Sequence, residues 1–113
     1  MVEATEGEQE VKNIIEMARK KAQQSICRYK VSAIGLDKRG NIIGSAFNKP
    51  RFDRLGGGLH AEMNLIGRYG SNLKTIIICR VGDKGDLLAI DPCDNCSYIA
   101  KKMGIKIISV NDL

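Results

Sequence analysis

Hydrophobic positions along the chain change their period several times, and each change marks a new element. Between residues 9 and 26, Val11, Ile14, Ile15, Ala18, Ala22 and Ile26 recur at three- and four-residue steps, the stripe of an amphipathic helix with one buried face. Residues 30–36 and 41–47 are short β-rich runs on either side of Asp37-Lys38-Arg39-Gly40. The Asp and Gly of that connection suit a tight turn, so the two runs predict a hairpin. A basic, glycine-rich stretch over 48–59 then leads into a second helix predicted over 60–69, with Gly70 placed to stop it.

The next pattern is different in kind. Residues 74–81 contain Thr75-Ile76-Ile77-Ile78-Cys79, a continuous apolar run expected of a strand buried on both faces and central in its sheet. After a polar turn at 82–86, Leu87-Leu88-Ala89-Ile90 reads as extended. A third helix is predicted over 92–103, ended by Gly104, and 105–110 supplies the last strand. A helix between these two strands favours a parallel, right-handed crossover. The expected fold is α/β, a three-layer α/β/α sandwich on a mixed sheet of four or five strands, a β-hairpin followed by parallel strands. At 113 residues the chain supports one domain over 1–113, residues 1–8 loose, in which every motif shares one core.

Charge narrows the partners. Eighteen basic residues against 13 acidic ones give +5, which favours anionic partners such as nucleotides or nucleic acid. Lys49, Arg51 and Arg54 gather just before the only histidine, whereas Arg19, Lys20 and Lys21 read as a solvated face of the first helix. No apolar run approaches the ~20 residues of a membrane span, and the polar, acidic start lacks a secretory pattern. The expectation is therefore a cytoplasmic protein without membrane contact. In a reducing compartment a Cys-x-x-Cys pair is a metal or redox site more often than a disulfide.

Two segments carry the chemistry: Leu59-His60-Ala61-Glu62 and Asp91-Pro92-Cys93-Asp94-Asn95-Cys96. Asp91 suits the cap of the third helix and Pro92 its first position, which leaves Cys93 and Cys96 three residues apart on one face. Both sulfurs then reach one ion, and the helix amino terminus favours the thiolates that zinc binding requires. His60 and Glu62 are two apart and share no face inside a helix, so they must lie at its irregular beginning, which Gly56-Gly57-Gly58 permits. His60, Cys93 and Cys96 make three metal ligands, leaving a fourth tetrahedral position open, as in catalytic zinc sites. Glu62 is then the proton carrier beside a zinc-activated water.

This combination resembles the cytidine deaminase-like superfamily, over residues 9–110. The resemblance implies hydrolytic deamination of a nucleobase at C4 of cytosine or C6 of adenine, with Zn2+ as cofactor, His60, Cys93 and Cys96 as its ligands and Glu62 as the general acid and base. It also implies at least a dimer, since such proteins are commonly oligomeric. Phe47-Asn48-Lys49-Pro50 looks like the Trp-Asn-Arg-Pro segment of bacterial tRNA adenosine deaminases, in which the asparagine helps hold the substrate. Asn48 thereby becomes a substrate-binding candidate, with Phe47 and Ala61 beside it; a turn residue after the hairpin is the alternative for Asn48. Phe47, Phe52 and Tyr98 are candidates to stack on a base, or else core aromatics.

The resemblance departs from each subfamily in turn. Asp-Pro-Cys-Asp-Asn-Cys is neither the Glu-Pro-Cys-x-Met-Cys of tRNA deaminases nor the Pro-Cys-Gly-x-Cys-Arg of free cytidine deaminases, with Ser97 at the arginine's position. The extra histidine and cysteine of dCMP deaminases are missing, and the usual fifth strand has no counterpart after Val110. The leading expectation is deamination of cytosine in a nucleoside or nucleotide. The alternatives are an adenosine or cytosine deaminase acting on tRNA or single-stranded nucleic acid, and a silent, zinc-stabilised nucleic-acid-binding module. A thioredoxin-like Cys93/Cys96 pair leaves His60 and Glu62 unexplained, and Cys79 and Cys27 read as packing residues.

Overall fold

The computed structural model describes residues 6–27, 29–49, 60–91 and 94–113. Helix α1 spans Glu6–Gln23, followed by strands β1 (Lys30–Leu36) and β2 (Ile42–Phe47), helix α2 (Ala61–Tyr69) and strand β3 (Thr75–Val81). Strand β4 is only Leu87–Leu88; helix α3 (Asp94–Lys102) and strand β5 (Lys106–Ser109) complete the order. Short 3-10 turns at Gly70–Asn72 and Val110–Asp112 follow α2 and β5. Residues 1–5 lie outside the described residues, and residues 6–8, expected to be loose, are already the first turn of α1.

The sheet is mixed and five-stranded. β1 pairs antiparallel with β2 and, on its other edge, antiparallel with the whole of β3. The remaining edge of β3 is shared end to end: β5 runs parallel to Thr75–Ile78, and β4 pairs antiparallel with Arg80 and Val81. The parallel pairing of β3 and β5, with α3 between them in sequence, is the pairing that the sequence predicts. The fifth strand is thus Leu87–Leu88, inserted before α3.

Alternation along β3 divides the core in two. Ile77, Cys79 and Val81 pack with Ala18 and Ala22 of α1, Ile34 and Val110. Ile76 and Ile78 pack on the opposite face with Ala61, Leu65 and Ile66 of α2, Ala100 of α3 and Ile105. One layer holds α1, the other α2 and α3, giving the expected three-layer sandwich.

Local chemistry explains the boundaries. Asp37 Oδ1 accepts from the amides of Arg39 and Asn41 (both 2.9 Å), and Gly40 takes a left-handed φ of 81° to close the hairpin. These amide donors, that of Asn41 foremost, hold the Asp37 carboxyl below the usual carboxylate range. Gly104, at φ 73°, ends α3: its amide bonds Lys101 O at 3.2 Å, the Ile105 amide bonds Ala100 O at 2.8 Å, and Ile105 packs in the core with Ala100. That is the glycine-capped stop described by its two reversed bonds.

One expectation fails. The helical stripe does not continue to Ile26, because α1 ends at Gln23 and Ile26 is 83% exposed. The Gln24 and Ser25 amides bond back to Lys21 O and Ala22 O in tighter turns, and Ser25 Oγ donates to Asn48 O at 2.9 Å. Tertiary bonding to the end of β2 draws the chain off the helix axis before the hydrophobic period runs out.

Candidate active site

His60 stands just outside α2 as its N-cap residue, with extended backbone (φ −70°, ψ 138°), and its carbonyl accepts the first helical bond, from Asn64 N at 3.1 Å. Glu62 lies in the first helical turn and is buried, 4% exposed. The change from extended to helical backbone between them brings the two side chains to one place, which a two-residue separation inside a helix forbids.

Cys96, in the first turn of α3 and 1% exposed, completes the cluster. Its Sγ lies 3.5 Å from His60 Nδ1, and ligand atoms of His60, Glu62 and Cys96 all fall within 4.8 Å of one another. An imidazole, a thiolate and a carboxylate aimed at one point form a borderline-soft donor set of the kind zinc takes. Cys93 and Pro92 lie outside the described residues, as do Phe52, Arg51 and Arg54. Cys79, although buried, is on the α1 face of β3, across the sheet from α2 and α3. Burial pushes its thiol up to about 11, with the Ser32 hydrogen bond and the Arg19 charge drawing it back only in part. It is a packing thiol, kept neutral by its surroundings.

A cavity of about 270 Å³ opens on His60 and Glu62, walled by Tyr29, Val31, Asn48, Ile90 and Asp91. Asn48 reaches this wall through its amide: Oδ1 accepts from Val31 N at 2.9 Å, and Nδ2 donates to Tyr29 O at 2.6 Å. Its backbone carbonyl receives Ser25 Oγ at 2.9 Å, and Cys27 Sγ lies 3.6 Å away. Asn48 thus ties the approach to β1 onto the end of β2, and stands at the cavity at the same time. Ala61 is fully buried at the start of α2 and packs in the core.

Phe47 is not among the lining residues; its ring carries the ammonium groups of Lys21 and Lys49 at 5.4 and 5.5 Å. Tyr98 is exposed, with Lys102 over its ring. Tyr29, Val31, Ile90 and Asp91 are the walls that the sequence did not reveal. They come from β1 and the residue just before it and from the segment after β4, and the pairing of both strands with β3 brings them together.

The family model for the cytidine and deoxycytidylate deaminase zinc-binding region matches residues 8–111. No curated protein sequence matches the chain. Solved structures with the same fold include the cytidine deaminase of Mycobacterium leprae, 19% identical, with 86% of this chain and 85% of that one covered at a TM-score of 0.60. That of Burkholderia pseudomallei is 16% identical, covering 82% and 76% at 0.58. The Mycobacterium tuberculosis enzyme is 21% identical, covering 83% and 81% at 0.53. With the family match spanning nearly the whole sequence, the chain belongs to the cytidine and deoxycytidylate deaminase zinc-binding family.

Proposed function

We propose that the chain is a zinc-dependent hydrolase that deaminates cytosine in a nucleoside or nucleotide to uracil and ammonia. The observation that carries this reading is the meeting of His60, Glu62 and Cys96 within 4.8 Å at one end of a cavity of about 270 Å³. His60 and Cys96, joined by Cys93 through the Pro-Cys-x-x-Cys pattern, would hold zinc. When bound, zinc supplies Lewis acidity that lowers the pKa of a water towards 7.

Glu62 then performs the proton transfers. Its carboxylate takes a proton from the attacking water, delivers it to the pyrimidine N3, and supports protonation of the departing amine as the C4–O bond forms and the C4–N bond breaks. Burial at the helix start keeps the carboxylate in one position and away from bulk water. Asn48 helps hold the sugar side of the substrate: its Nδ2 has a second hydrogen beyond the one given to Tyr29 O. Tyr29, Val31 and Ile90 supply the apolar walls for a flat base.

The test is ammonia release by the zinc-loaded protein from cytidine, deoxycytidine, their monophosphates, cytosine, adenosine, guanine, single-stranded DNA and tRNA. Turnover of the cytosine nucleosides or nucleotides is expected. Turnover confined to adenosine or to polynucleotide overturns the substrate assignment, and no turnover on any substrate overturns the enzymatic reading in favour of a binding module.

A further inference from the structure

Arg80 is the one residue of β3 that interrupts its apolar run on the catalytic side. By strand alternation it shares a face with Ile76 and Ile78, the residues that meet α2 and α3. Its sheet neighbours bracket the cavity: Val31, its partner on β1, lines the cavity, and Leu88, its partner on β4, stands two residues before Ile90, which also lines it. The guanidinium lies over the ring of Tyr29, another wall residue, 4.6 Å from its centroid.

A half-buried arginine beside an active-site cavity requires an account of its charge. Among the described residues no carboxylate pairs with Arg80, and its Nε is buried with no hydrogen-bond partner. The stack on Tyr29 fixes the plane of the guanidinium and engages its face, while the in-plane N–H groups at the far edge keep the fork geometry that matches an oxyanion. Glu62 and Asp91 are the carboxylates that line the cavity, so an anionic group on a substrate belongs at the Tyr29 side.

From this arrangement we infer that Arg80 reads a phosphomonoester on the substrate, making the preferred ligand a nucleoside monophosphate over the free nucleoside. The inference rests on the nucleobase reading of the site given above. A cavity of about 270 Å³ suits a single nucleotide, and the bidentate fit of guanidinium to phosphate discriminates more sharply than a lone lysine would. A polynucleotide is the competing source of the same phosphate chemistry, and the test separates the two.

Binding is measured by calorimetry on the zinc-loaded protein, using the product-like ligands uridine, deoxyuridine, their monophosphates and a short single-stranded DNA containing deoxyuridine, in parallel with ammonia release from the cytosine counterparts. The monophosphates are expected to bind roughly 10- to 100-fold more tightly than the nucleosides. Arg80→Gln is expected to bring that ratio close to one, and Arg80→Lys to restore only part of it. Lys101→Gln, which removes the same charge from an exposed position on α3, is expected to leave the ratio as it is. Equal binding of nucleoside and monophosphate by the wild type overturns the inference, as does a ratio that survives Arg80→Gln. Tighter binding of the DNA than of the monophosphates also overturns it. A phosphate preference that depends on Arg80 in a protein that releases no ammonia keeps this inference and defeats the deaminase reading.

Discussion

Cys79 and Cys96 are both buried cysteines, yet they sit on opposite sides of the sheet and have opposite chemistry. Cys79 projects from β3 into the apolar layer under α1, where burial raises its thiol to about 11 and leaves it a small packing group. Cys96 opens α3 on the other side, 3.5 Å from His60 Nδ1 and in the same cluster as Glu62. Burial alone therefore does not make a cysteine a ligand. What separates the two is the local company: a helix start, an imidazole and a carboxylate for Cys96, against a largely apolar layer in which Ser32 is the hydrogen-bond partner for Cys79.

Substitutions should widen or erase this contrast. The largest effect is expected from Cys96→Ala, which removes a thiolate ligand: zinc per chain, measured by atomic absorption after dialysis, falls towards zero and ammonia release goes with it. Cys79→Ala should retain full zinc and show only the loss of a small core side chain, about 1 kcal/mol in denaturant unfolding. Comparable zinc loss in both variants would dissolve the contrast.

Asn48→Ala ranks next, because it strands the Val31 amide and frees the approach to β1 from β2. Stability should fall by about 1 to 3 kcal/mol in urea unfolding, with a rise in KM for the deaminated substrate. The smallest effect concerns pH. Because the folded Cys79 thiol titrates at about 11, above its ordinary value of 9.0, its contribution to stability is complete below pH 9 and is lost as the pH rises from 9 to 11. Unfolding curves across that range should show a decline in the wild type that is shallower in Cys79→Ala.

The same two sides differ in how far the sequence revealed them. The α1 layer was legible because hydrophobic period is a local property: Ala18 and Ala22 of α1 pack against Ile77, Cys79 and Val81, the alternate positions of β3, as their spacing predicts. His60 and Glu62 were legible for another local reason, since a two-residue spacing after a glycine run has a helix start as its natural solution. Local reading stopped where long-range hydrogen bonds took over. Ile26 continues the apolar period, but Ser25 bonds the end of β2 and the helix has already ended. Tyr29, Ile90 and Asp91 carry no pattern of their own; β-sheet register alone brings them to the cavity. Asn48 was visible as a site candidate through resemblance, whereas its bonds to Tyr29 O and Val31 N became visible only in the fold.

Central to the account is that Glu62 moves the proton, with His60 and Cys96 serving the metal. The most direct measurement is zinc content and ammonia release on the same preparation of Glu62→Gln, an isosteric change that keeps the fold and the metal ligands. Zinc retained near one per chain, with ammonia release from the cytosine substrate reduced by roughly 100- to 10,000-fold, is the expected result. Unchanged ammonia release from zinc-loaded Glu62→Gln would contradict it.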